Sequence, residues 1–242
     1  MWDHIDQFYI LTVKDSPRIK CMEEKIKELF IPENKLTWNV VPRLNCNNCL
    51  LCSACENHVL AYKDAYSKGY NNIIIFEDDI MINGEINNLE KQVDYFLKKY
   101  LSYDILYFGN IPYNIINTFN DSGIIKSKGI FCHAYLINKR LFSKFIDINI
   151  PYYVFYKYAE KNNFLTLTLP AFKGFGTDFW LYFESKESYC IYPMCIIQDN
   201  FLNKVNNKTL LKCCYSLIET YQYNKKIIIY TLVSILLLGN LI

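Results

Sequence analysis

At 242 residues the chain is long enough for one sizeable domain or two small ones, and with 52% apolar residues it is globular rather than disordered. A net charge of +2 gives no reason to expect nucleic acid or a strongly acidic partner. Heavy use of Tyr, Asn, Ile and Lys reads as the codon bias of an AT-rich genome, such as that of a large DNA virus or a protist, and carries no mechanism.

The opening MWDHIDQFYI has charges early and no basic stretch leading into an apolar run, so no secretory signal is visible. Ten cysteines outside an extracellular context point to a reducing, cytoplasmic compartment and to thiols. Residues 7–13, QFYILTV, are β-branched and aromatic and predict a first strand. Asp15 to Arg18 predict a turn, with Ser16 as cap and Pro17 at the first position of a helix. The helix KCMEEKIKELF has Cys21, Met22, Ile26, Leu29 and Phe30 as its apolar set. LTWNVVP predicts a second strand, followed by a Cys-rich segment over 45–55. ENHVLAYKDAYSK predicts a helix that stops at Gly69. IIIF is a third strand. A helix is expected over Asn87–Tyr100, a fourth strand at DILYFG, and a loop rich in Asn and Gly from Pro112 to Gly129. FCHAYLI is a fifth strand, followed by a helix through LFSKFI.

Strands alternating with helices predict an α/β layer fold with a mostly parallel sheet flanked by helices. The domain is expected over 1–205 and a tail over 206–242. The tail ends in IIIYTLVSILLLGNLI, sixteen uncharged residues (227–242) after two lysines. As a helix this is roughly 24 Å long. It would be a short membrane anchor holding the domain in the cytosol, or a buried segment docked on it. Cys213 and Cys214 beside it suit palmitoylation or burial as thiols. The sequons at Asn120 and Asn207 are expected to be idle.

The stretch NNIIIFEDDI sends four apolar residues into Glu77, Asp78 and Asp79. An apolar run without alternation marks a parallel strand covered on both faces. Ligands bind at the carboxyl ends of such strands. Strand alternation would point Glu77 and Asp79 one way and Asp78 the other. Three adjacent carboxylates repel each other, and Mg²⁺ or Mn²⁺ shared with a substrate's phosphates removes that penalty. The competing reading is a solvated acidic turn. In CNNCLLCSAC, Cys46, Cys49, Cys52 and Cys55 recur every three residues. Free thiols, one or two local disulfides, and a metal site all remain open. On one helix face the four sulfurs could not all meet one ion.

Several motifs in order resemble glycosyltransferase family 25, the lipopolysaccharide and procollagen galactosyltransferase group. They are Phe8-Tyr9-Ile10-Leu11 followed by Pro17-Arg18, then His58 near the start of a helix, then the EDD of Glu77 to Asp79. Next come Tyr103 to Gly109, Ala134-Tyr135-Leu136-Ile137, Thr177-Asp178-Phe179-Trp180, and finally Pro193 and Gln198. Asn57 departs from the Ser that precedes the His in the family. The resemblance spans residues 5 to 200. It implies a GT-A-like (Rossmann-like) domain and metal-dependent, inverting transfer of a hexose, galactose foremost. The donor would be a nucleotide sugar such as a UDP-hexose, and the acceptor a hydroxyl of a glycan, lipid or protein. It implies Asp78 and Asp79 as ligands of Mn²⁺ or Mg²⁺, and Arg18, Glu77, Asp78 and His58 as donor-binding residues. Asp178 would be the base, with Phe179 and Trp180 available to stack on a sugar. Asp178 also suits a helix cap, Arg18 a solvated helix start, and His58 and His133 a core or surface role. The alternative function is an inactive sugar-nucleotide-binding or membrane-tethered scaffold.

Overall fold

The computed structural model describes residues 2–42, 51–83, 86–115, 123–130, 133–147, 176–192 and 194–198. The chain divides into two compact units, Met1–Ile197 and Gln198–Ile242. The tail with its apolar end, Cys46, Cys49, Cys213, Cys214, Pro193 and both sequons lie outside the described residues. Among the described residues no helix is long and apolar enough to cross a membrane.

The first unit is an α/β layer built on an eight-stranded, mostly parallel sheet flanked by helices. Its strands are β1 (Gln7–Val13), β2 (Leu36–Val41), β3 (Asn72–Glu77), β5 (Ile105–Tyr107), β6 (Ile111–Ile115), β7 (Ile124–Ile130), β8 (Ala134–Asn138) and β9 (Ser188–Ile191). The order is β2-β1-β3-β8-β5-β9-β7-β6. β1 is parallel to β2 and β3, and β5 to β9. β8 runs against β3 and β5, and β7 against β9 and β6. Six strands therefore point one way and two the other. A small ribbon, β4 (Ile80–Ile82) with β10 (Ile196–Gln198), stands apart.

The helices follow the same logic. α1 (Ile19–Glu28) buries Met22 and Ile26, and α3 (Ile86–Lys99) buries Leu89, Val93 and Phe96, each at helical spacing on one stripe. Both stripes pack on Phe8, Ile10, Ile74, Phe76, Leu106 and Leu136 of the sheet. The opposite face carries Tyr9, Leu11, Ile73, Ile75, Ile105, Tyr107, Tyr135 and Ile137. Against it lie α2 (Leu51–Ser67), α4 (Lys139–Phe142) and α5 (Gly176–Glu184). Alternate residues of β1, β3, β5 and β8 thus fill two separate cores. Each fully buried Ile or Leu contributes about 1.5–3 kcal/mol.

Several expectations are corrected. The fifth strand is antiparallel, because β8 fills the gap between two parallel strands. The Asn- and Gly-rich stretch after Pro112 is not only loop but contains β6 and β7, which pair with each other as a ribbon at the sheet's edge. α2 begins before the predicted Glu56, so Cys52 and Cys55 are helical. Cys21 is exposed, and Phe30 is 58% exposed, so neither belongs to the α1 stripe. Ser16 does not cap a helix starting at Pro17. α1 starts at Ile19, and the Arg18 N–H donates to Ser16 Oγ at 3.3 Å. Gly69 does end α2: its φ is +73°, and Tyr70 N–H reaches back to the Ala65 carbonyl at 3.0 Å, a Schellman closure.

Gly109 lies two residues beyond the end of β5, where Ile196 N–H approaches the Phe108 carbonyl. A Cβ on Gly109 would lie 1.5 Å from the Ile196 carbonyl oxygen, a backbone atom that cannot swing aside. Gly109→Ala is expected to cost about 1–3 kcal/mol by urea denaturation, the range for an overpacked core site. An unchanged midpoint would show that β10 is free to shift.

Candidate functional site

The acids sit where β1, β3 and β8 end or begin together. Glu77 closes β3, and its N–H donates to the His133 carbonyl at 2.8 Å. Asp78 N–H donates to the Leu11 carbonyl of β1 at 3.1 Å. The chain then turns at Asp78 and Asp79 before entering β4. Strand alternation stops at Glu77, which overturns the expected placement. Glu77 turns toward α2, while Asp78 and Asp79 face a common point.

That point is occupied by Arg18. Its Nη1 lies 3.5 Å from Asp78 Oδ1 and 3.7 Å from Asp79 Oδ2. The other oxygen of Asp78 is fixed by two hydroxyl donors, Thr12 at 2.5 Å and Ser16 at 2.6 Å. Both carboxylates are largely shielded, with side-chain exposures of 12% for Asp78 and 8% for Asp79. A guanidinium at the start of α1 opposes the helix dipole. Two shielded carboxylates offset that cost, and one arginine leaves the trio of charges net negative.

The donor set fits a hard divalent cation: oxygen ligands only, two carboxylates facing one point. Among the described residues no three His, Cys, Asp or Glu side chains form a complete metal cage. An ion bound by Asp78 and Asp79 would therefore need further oxygens from water or phosphate, which is how Mg²⁺ is usually held. If the site takes a nucleoside diphosphate with its cation, Arg18→Gln is expected to weaken calorimetric binding of UDP with Mn²⁺ about 10- to 100-fold, the worth of a charge-assisted contact to phosphate. An unchanged affinity would remove Arg18 from the site.

Glu77 and His58 form a pair, with Oε1 3.1 Å from Nε2. His58 is 1% exposed, so it acts on any ligand only through Glu77. Burial pushes its imidazole down to about 3, and the ring is neutral at neutral pH. Its neighbour Asn57 donates from Nδ2 to the Thr12 carbonyl at 2.8 Å, tying α2 to the end of β1. Asn57 is thus a structural tether.

His133 is buried beside Gly109, and burial holds it down to about 4. Its ring faces the Ile196 carbonyl without a well-aligned hydrogen bond. Asp178 is the third residue of α5. The Thr177 hydroxyl meets Cys55 Sγ at 3.5 Å, so the start of α5 lies against α2. The axial offset from Cys55 to His58 is roughly 4.5 Å. Trp180 does not serve a sugar face. It is 3% exposed and stacks on Phe145, with centroids 6.2 Å apart. The wider apolar core claims it. The roles of Thr12 and Ser16 escaped the sequence reading; their only signal was a polar residue at the end of β1 and another in the turn beyond it.

No protein-family model matches the chain, and no curated protein matches it. Solved structures do resemble it. A197 from STIV is similar over 76% of this chain and 81% of its own, at 13% identity and a TM-score of 0.42. Mannose-1-phosphate geranyltransferase from Thermus thermophilus is similar over 77% of this chain and 74% of its own, at 6% identity and a TM-score of 0.44. A glycosyltransferase involved in the glycosylation of the major capsid of PBCV-1 is similar over 77% of this chain and 82% of its own, at 8% identity and a TM-score of 0.41.

Proposed function

We propose that the chain is a metal-dependent transferase that uses a nucleotide sugar, of the inverting glycosyltransferase kind. The observation that carries this reading is the convergence of Asp78 and Asp79 on Arg18 at the carboxyl edge of the sheet. Two shielded carboxylates held that way suit one divalent ion and a diphosphate. The order of motifs shared with glycosyltransferase family 25 supports a hexose, galactose foremost, as the group moved.

The roles follow from the chemistry. Thr12 and Ser16 hold one oxygen of Asp78, leaving its other oxygen as the one that would hold the ion. Asp79 supplies the second carboxylate. Arg18 leaves its resting contact with both acids and pairs with the diphosphate. Glu77 accepts hydrogen bonds from the ribose hydroxyls of the donor. Mn²⁺ or Mg²⁺, when bound, neutralises charge on the departing diphosphate. An inverting transfer needs a base for the acceptor hydroxyl, and Asp178 at the start of α5 takes that role. The acceptor is a hydroxyl of a glycan, lipid or protein.

A panel of UDP- and GDP-hexoses incubated with Mn²⁺ tests the reading by release of nucleoside diphosphate. Release from one donor of the panel, absent in EDTA, is expected. No release from any donor, with thermal stabilisation by the nucleotide sugars retained, would favour an inactive binding protein.

A further inference from the structure

A chain of buried hydrogen-bonding groups ends on Glu77. The Tyr62 and Tyr135 hydroxyls lie 2.5 Å apart. The Tyr135 hydroxyl is 2.6 Å from His58 Nδ1, and His58 Nε2 is 3.1 Å from Glu77 Oε1. The His58 and Tyr135 rings are close to parallel, at 10° with centroids 5.9 Å apart. Tyr62 and Tyr135 are fully buried, whereas the Glu77 side chain keeps 27% of its surface in solvent. The chain runs from the core between α2 and the sheet to the edge that carries Asp78 and Asp79.

Its polarity is fixed from the exposed end. An ionised carboxylate only accepts, so His58 Nε2 carries the hydrogen. A neutral imidazole has one N–H, so Nδ1 accepts from the Tyr135 hydroxyl. With its proton committed, Tyr135 accepts from Tyr62. The two tyrosines fix the tautomer, and the tautomer fixes one oxygen of Glu77. A core that needed only volume would be served at least as well by apolar side chains, because a buried polar network must satisfy every member.

We propose that Tyr62, Tyr135 and His58 are positioning residues that hold the Glu77 carboxylate in the orientation that receives donor hydroxyls. The proposal rests on the nucleotide-sugar reading for its ligand, while the hydrogen-bond chain stands on its own distances. None of the three touches the donor. They act through Glu77.

The test uses the full chain, with UDP and 2′,3′-dideoxy-UDP in the presence of Mn²⁺ as calorimetric probes. The wild-type protein is expected to prefer UDP about tenfold or more, a factor that corresponds to roughly 1.4 kcal/mol. Glu77→Gln should reduce that preference. Tyr135→Phe should reduce it at least threefold while leaving the affinity for the dideoxy nucleotide unchanged. This variant keeps the ring and removes one hydroxyl, and His58 stands between that hydroxyl and Glu77, so a loss of preference must travel through His58. If Tyr135→Phe keeps the full preference, the proposal is overturned while the donor reading stands. If neither these nucleotides nor GDP binds the wild-type protein, the donor reading fails and takes this ligand assignment with it. Nitrogen-15 shifts of His58 in the ligand-free protein give a separate check. The Nε2–H tautomer supports the chain, and an Nδ1–H tautomer overturns it.

Discussion

Asp79→Asn is expected to abolish metal-dependent nucleotide release, by about 10³-fold or more, while the protein melts at the same temperature or higher. On the proposed reading the loss follows from removing one of the two carboxylates that would face the cation, a charge contribution of about 4 kcal/mol to the transition state. The gain in stability follows from the ligand-free state, where Asp78 and Asp79 are shielded like charges sharing one arginine. Asp78→Asn should differ. Its Oδ2 accepts from both Thr12 and Ser16, and an amide in that place offers one acceptor oxygen and turns a donor toward the remaining partner. Asp78→Asn is therefore expected to lose activity and about 1–2 kcal/mol of stability as well. Equal melting temperatures for the two variants would contradict the arrangement of donors around Asp78.

Stability should fall steeply with acid, before most carboxylates titrate. Of the three histidines, His58 and His133 are buried, and burial pushes them down to about 3 and about 4. The unfolded chain takes up a proton at each near pH 6.5, while the native state refuses both until near pH 4. Unfolding therefore binds protons throughout that window. The stabilisation is fully present above about pH 6.5 and is lost as pH falls. The slope is about 1.4 kcal/mol per pH unit for each histidine. Across this window the pair lowers stability by several kcal/mol, with the Glu77 carboxylate beside His58 moderating its share. Below this window Asp104 adds to the loss. Burial raises its carboxyl, but N–H donors from Glu187 and Lys186 and the guanidinium of Arg140 outweigh that and hold it low. Urea denaturation at pH 7, 6 and 5 checks the slope, and His133→Asn should roughly halve it. A flat profile between pH 7 and 5 would show that one or both rings are already protonated in the native state.

Much of the fold was legible because burial writes itself into the strands. Ile73 to Phe76 and Phe8 to Leu11 show no polar alternation, and each fills two cores at once. The stripes of α1 and α3 were equally plain. Illegible segments were those whose partners decide their state. β6 and β7 contain Pro, Asn, Lys and Gly, which suit an edge ribbon as well as a loop. β9 is four residues long and needed β5 beside it to declare itself.

At the site, the acids and Arg18 stood out as charge beside an apolar run. Their geometry did not. Strand alternation gave the wrong sides because a turn begins at Asp78, and sequence offers no sign of where a ladder stops. The pairing of His58 with Glu77, 19 residues apart, is a product of how α2 lies on the sheet. Trp180 looked like a sugar platform because it neighbours Asp178, yet Phe145 claims its face.

The central claim is that Asp78 and Asp79 bind one divalent ion jointly with a nucleotide diphosphate. Electron paramagnetic resonance of Mn²⁺, titrated into the full chain with and without UDP, tests it most directly. The expected result is that UDP and the protein together deplete the free Mn²⁺ signal far more than either does alone, and that Asp79→Asn removes this mutual enhancement. Equal depletion by the wild-type and Asp79→Asn proteins, or UDP binding that is indifferent to EDTA, would contradict the account.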